Sequence, residues 1–239
     1  MDNIEEKNEN LEMVSEEKTN ENKEYYALSI KKQFSTRKGR TRFITRVAMF
    51  GALAYVFYAF LKFPLPFFPS FLEVKFHNLF VILSGLLTGP IGGMITIIVM
   101  LGLKLITIGT STQFVGEITD LIISLSVMLP SSIIYLKNHT RNGGIIGILL
   151  SFISWIVASF LVNMFISLPF YLEFFFKGNI DGFVGALSKT IKNVNADNFK
   201  LMYLLVAVLP FNALVSFVNV SVCILVYKRI SIVLKKIGI

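Results

Sequence analysis

Long apolar runs alternate with short polar breaks along most of this chain. The apolar stretches fall at roughly 43–61, 78–88, 90–106, 117–136, 144–168 and 201–227. A helix needs about 20 apolar residues to cross a hydrocarbon core of about 30 Å, and the first, fourth, fifth and sixth stretches meet that length. The second and third form one uncharged span between Lys75 and Lys104, too long for a single straight crossing at about 1.5 Å per residue. "TGPIGG" lies in its middle, with Gly89, Pro90, Gly92 and Gly93, and glycine beside proline is strong turn punctuation. The pattern predicts two helices joined by a tight hairpin, hence an all-α membrane protein built as a bundle of six transmembrane helices.

Composition agrees. The chain of 239 residues is 54% hydrophobic and only 16% charged, with a mean hydropathy of +0.67, against about 25% charged in a soluble domain. Nine of its fifteen acids lie in the first 24 residues. Residues 1–30 therefore read as a disordered, acidic cytoplasmic tail, followed by a basic juxtamembrane segment at 31–42. The transmembrane domain is expected over 43–228, and a basic C-terminal end over 229–239. No cleavable signal peptide is expected at so acidic a start. The net charge of +8 fits an anionic membrane face and not nucleic acid, because the bases cluster beside the apolar runs.

Six crossings put both basic ends, with Lys137 and Arg141 between them, on the cytoplasmic side. Five would export the C-terminal cluster, so the positive-inside rule favours six and a multi-pass protein of the plasma membrane. The segments 62–78, 104–116 and 169–200 then face outward, and a ligand pocket would open on that side.

Polar residues inside the apolar runs are the candidate chemistry. Glu117 and Asp120 lie three apart at the start of a run, on one helical face. They serve either as capping carboxylates favoured by the helix dipole, aided by Ser111 or Thr112, or as the wall of a polar cavity. Asn163 and Asn212 sit in "NMFISLPFY" and "LPFNALV", where an unpaired amide is costly. Each either bonds a neighbouring helix or offers donor and acceptor together to the edge of a planar heterocycle. Phe71, Phe76, Phe170 and Tyr171 could cover the faces of such a ring.

His77 has no partner cluster for a metal, and the lone Cys223 fits neither a disulfide nor a redox motif. No phosphate-cradling loop and no nucleophile–base pair is present, so neither catalytic nor metal residues are assigned and no cofactor is expected. Ala48 and Ala52, four apart beside Gly51, would let a second helix approach closely or would pack internally.

Assembled in order, "LPFFPSFLEV", "LLTGPIGG", "GTSTQFVGE", "LPSSIIY", "NMFISLPFY" and "LPFN" resemble the substrate-binding S component of energy-coupling-factor (ECF) vitamin transporters. The likeness runs from about Arg42 to Tyr227 and is greatest to the riboflavin-binding members. It implies an outward-facing vitamin pocket, with riboflavin as transported ligand, and docking on a transmembrane coupling subunit driven by two ATPase subunits. Pocket amides match Asn163 and Asn212. The lid matches the segment holding Leu72, Val74, Lys75, Phe76 and Asn78, while Glu117, Asp120 and Tyr171 fall in the substrate-binding set. The helix-docking pair matches Ala48 and Ala52.

Riboflavin-binding relatives usually carry Asp, Ser, Asp and Pro where this chain has Lys75, His77, Asn78 and Phe80. They carry Asn at Asp120 and often Lys at Val215. These departures reverse charge at the lid and remove a cation, leaving open a different vitamin or flavin-like compound. A membrane scaffold whose amides only lock helices together is the reading from another class.

Overall fold

The structure, a computed structural model, describes residues 35–138 and 140–236. The acidic tail over 1–30, Lys31 and Lys32, and the last three residues of the basic C-terminal end lie outside the described residues. Helix α1 (Arg37–Phe60) is started by Thr36, whose hydroxyl accepts from the Gly39 amide at 3.1 Å. Its inner face buries Phe43, Val47, Phe50, Ala54 and Tyr58, while Ala48 and Ala52 are exposed on the other side. A small ribbon follows, in which β1 (Lys62–Pro64) pairs antiparallel with β2 (Glu73–Lys75), Phe63 opposite Val74.

Helix α2 (His77–Thr107) is not straight. Gly89 takes φ 78° and ψ 175°, a region open essentially to glycine alone, and Pro90 has no N–H to give to the preceding turn. The chain doubles back there. Ser84 and Thr96 would stand about 18 Å apart along one straight helix, yet their hydroxyls lie 2.6 Å apart. A Cβ on Gly93 would come within 3.1 Å of the Gly85 backbone. "TGPIGG" thus forms the hairpin that its composition predicts. The first limb is about 18 Å long and the second about 27 Å, so the shorter one leaves room above His77.

Helix α3 (Val115–Lys137) begins after a loop with Gln113 and Phe114 at positive φ. Thr112, and not Ser111, accepts from the Gly116 amide at 2.9 Å. Helix α4 (Arg141–Val162) packs closely on α3, where a Cβ on Gly147 would meet the Ser131 backbone at 2.9 Å. It runs through a π turn (Asn163–Ser167) into α5 (Leu168–Phe176). The connection that follows holds α6 (Ile180–Leu187). Helix α7 (Phe199–Met202) passes through a second π turn (Tyr203–Val208) into α8 (Leu209–Lys236).

Each π turn lies immediately ahead of a Leu-Pro pair, Pro169 and Pro210. A proline removes one hydrogen bond and presses on the carbonyl four residues back, and a widened turn accommodates both. The sequence pattern ends the fifth apolar run at 168; the helix instead continues to Phe176. Among the described residues, five elements are long and apolar enough to cross a membrane, the hairpin counting as one of them. The main core joins Trp155, Phe183, Tyr203, Phe211 and Tyr227 from α4 to α8 with Leu72 and Val74 of the lid region.

Candidate functional site

Above the short limb of α2 lies a cavity of about 390 Å³. Eight sequence-expected residues line it: Leu72, Lys75, Asn78, Glu117, Asp120, Asn163, Tyr171 and Asn212. Val74 and Phe76 do not. Alternation along an extended chain explains this: Glu73, Lys75 and His77 point into the cavity, which turns Val74 and Phe76 away. Val74 is buried on the opposite side, and the Phe76 ring packs on Phe63 at 6.3 Å between centroids.

Three lysines line the cavity, and each meets a carboxylate. Lys75 Nζ lies 2.9 Å from Asp120 Oδ2, Lys62 lies 3.5 Å from Glu73, and Lys104 pairs with Glu117. The Tyr58 hydroxyl donates to Asp120 Oδ2 at 2.6 Å, and the Lys75 ammonium donates to the Tyr58 oxygen at 3.3 Å. Burial works against the charge on Lys75, but the Asp120 carboxylate outweighs it and holds the ammonium well above the usual lysine range. Thr110 donates to the other oxygen of Glu117 at 3.1 Å.

Of the two roles the sequence allows, the cavity wall holds for both Glu117 and Asp120, while Glu117 alone lies in the first turn of α3. Lys75 and Asp120, which each depart from the pattern of riboflavin-binding relatives, neutralise one another. Strand β2 is also held from behind, since Asn219 Nδ2 donates to the Lys75 carbonyl at 3.2 Å.

The two amides come from separate elements and face one hollow. Asn163 opens the first π turn and is 7% exposed; Asn212 lies in the first turn of α8 and is 8% exposed. Asn163 Oδ1 accepts from the Tyr203 hydroxyl at 2.9 Å, and Asn212 Oδ1 accepts from the Trp155 indole N–H at 3.3 Å. Phe71 stands against Tyr171 at 5.5 Å between ring centroids, giving the cavity an aromatic wall. Val215 adds apolar surface where relatives often have a cation.

Sequence reasoning missed Tyr58, Lys104, Trp155 and Asn219. His77, set aside there as solitary, lines the cavity. It stacks edge-on to Tyr58 at 5.1 Å, and among the described residues its Nδ1 has no hydrogen-bond partner. The unassigned polar residue in an apolar run, Asn219, carried the same signal as Asn163 and Asn212.

A family model described as the substrate-specific component of ECF transporters matches residues 42–227. The riboflavin transporter RibU of Staphylococcus aureus (strain TCH60) is 28% identical over 197 residues, covering 82% of this chain and 93% of that protein. The riboflavin transporter FmnP of Bacillus subtilis (strain 168) is 26% identical over 129 residues, covering 54% of this chain and 67% of its own length. A solved structure of the S component of a bacterial ECF transporter superposes with a TM-score of 0.60. It is 23% identical and covers 82% of this chain and 99% of that one, a likeness of fold.

Proposed function

This chain belongs to the family of ECF transporter substrate-specific components, and we propose that it binds riboflavin from outside the cell and delivers it to an ATP-driven coupling module. It is a multi-pass protein of the cell membrane. In the proposed topology the chain passes twice through the bilayer at the α2 hairpin, the short limb ending beneath the cavity, which gives six crossings with both termini cytoplasmic and the cavity open outward. The module it docks on comprises a transmembrane coupling subunit and two ATPase subunits, with Ala48 and Ala52 on the docking face.

One observation carries the substrate assignment: two buried amides from separate helical elements line one cavity beside an aromatic wall. The flavin ring system is flat and carries an imide edge of alternating acceptors and a donor, which an amide complements. A cavity near 390 Å³ lies in the range that encloses a molecule of that size. Pairing of all three cavity lysines favours an uncharged ligand, because an added charge would have to break a partnered ion. The hydroxyls of a ribityl chain can donate to Glu117 or Asp120 and accept from Lys75 or Lys104.

Purification in detergent tests this directly. The expected product carries flavin absorbance, or, once stripped, quenches riboflavin fluorescence with submicromolar affinity. Colourless protein that leaves riboflavin fluorescence unchanged would overturn the assignment and favour another vitamin.

A further inference from the structure

We propose that Tyr203 and Trp155 are positioning residues that hold the two cavity amides in one orientation toward a ligand, each acting from the opposite helix. The inference rests on the substrate reading above and deepens it.

The geometry is reciprocal. One continuous helical run holds Trp155 and Asn163, and the other holds Tyr203 and Asn212. Tyr203 donates across to Asn163, and Trp155 donates back to Asn212. Each amide nitrogen is also tied to the carbonyl four residues earlier: Asn163 Nδ2 to Ser159 at 2.8 Å, and Asn212 Nδ2 to Val208 at 2.9 Å.

An asparagine amide is nearly symmetric in shape, so packing alone does not decide which end is oxygen. Here the partners decide it. Indole N–H is a donor only, and a backbone carbonyl is an acceptor only. Reversing Asn212 would set donor against donor at Trp155 and acceptor against acceptor at Val208. The Ser159 carbonyl imposes the same choice on Asn163, and the Tyr203 hydroxyl, which can donate or accept, donates to the oxygen so presented and holds it in place.

An amide has two N–H groups and two lone pairs on its oxygen. The brace and the backbone tie use one of each, leaving one N–H and one lone pair per amide. The cavity thus presents two fixed donor–acceptor sets, matched to a planar ring edge of one hydrogen-bond order. Tyr203 itself is fully buried and is not a lining residue, so it influences a ligand only through its neighbours.

Double-mutant cycles on riboflavin affinity separate this from simple helix bracing. Tyr203→Phe keeps the ring and removes only the hydroxyl, and thermal midpoints report whether each variant stays folded. With Asn163 intact, Tyr203→Phe should raise Kd about tenfold, the worth of one hydrogen bond. In the Asn163→Ala background it should change Kd less than about twofold, since its target is gone. In the Asn212→Ala background the full effect should return. Trp155→Phe should show the mirror pattern, but its ring lines the cavity, so the Tyr203 arm decides.

Effects of Tyr203→Phe that are equal in all three backgrounds would overturn the proposal. So would a lowered thermal midpoint with unchanged Kd, which would make the hydroxyl a helix brace alone. Unmutated protein that binds no riboflavin overturns the substrate reading and this inference with it.

Discussion

Lys75 and Asp120 are 45 positions apart, and each looks anomalous alone: a base placed in a lid, an acid placed near bilayer depth. Together with Tyr58 they form a compact neutral group bridging β2, α3 and α1. Lys75→Asp should leave two facing carboxylates and lower stability by about 2 kcal/mol, read as a depressed thermal midpoint in detergent. Adding Asp120→Asn should recover most of that loss; no recovery would mean the two residues act separately. At the amides, Asn163→Ala and Asn212→Ala should each weaken riboflavin binding about tenfold, measured by fluorescence titration, with folded yield maintained. Loss of fold at unchanged affinity would count for a scaffold role. The amides were legible in the sequence because an asparagine within an apolar run is costly without a partner. Lys104 was not, since a lysine at the end of an apolar run reads as an interfacial anchor until the chain's return brings Glu117 beside it.

At the scale of elements, punctuation was readable where backbone chemistry leaves one solution. Glycine before proline in "TGPIGG" made the α2 hairpin predictable, and Gly89→Ala should destabilise the protein by about 1–3 kcal/mol because its backbone conformation is nearly closed to other residues. An unchanged thermal midpoint would show that the hairpin relaxes to accept a side chain. Pro169, where the fifth apolar run was ended, misled for the opposite reason. Proline usually ends a helix, but a π turn absorbs it, and nothing in a single sequence separates those outcomes. The ribbon shows the same limit on a smaller scale: the stretch from Leu72 to Asn78 was picked out as a whole, while the alternation that turns Val74 and Phe76 from the cavity depends on an extended conformation that the apolar pattern does not reveal.

For the whole molecule, α1 presents two different faces. Tyr58 points inward to the ion pair, and Ala48 and Ala52 lie outward with no large side chain between them and a neighbour. Ala48→Leu and Ala52→Leu should leave riboflavin affinity of the purified protein unchanged yet reduce vitamin uptake severalfold in cells making the complete transporter. Undiminished uptake would remove these residues from the docking face. The all-helical, membrane-crossing class was the most legible level of all, since the lengths of apolar runs follow directly from the thickness of a bilayer. The cavity was the least legible, because it arises from unequal limbs of a hairpin and not from any local motif.

The two widened turns also govern which changes in chain length this protein can absorb. Each holds one residue more than a regular helix would at the same place. Deleting a single residue between Asn163 and Pro169 would remove that surplus and restore regular winding, with the helix beyond kept close to its present phase. Tyr171 would then stay at the hollow with Asn163, whereas the same deletion in the regular part of α4 would swing everything beyond by about 100°. The widened turns are therefore where this chain can lose a residue at least cost to the site.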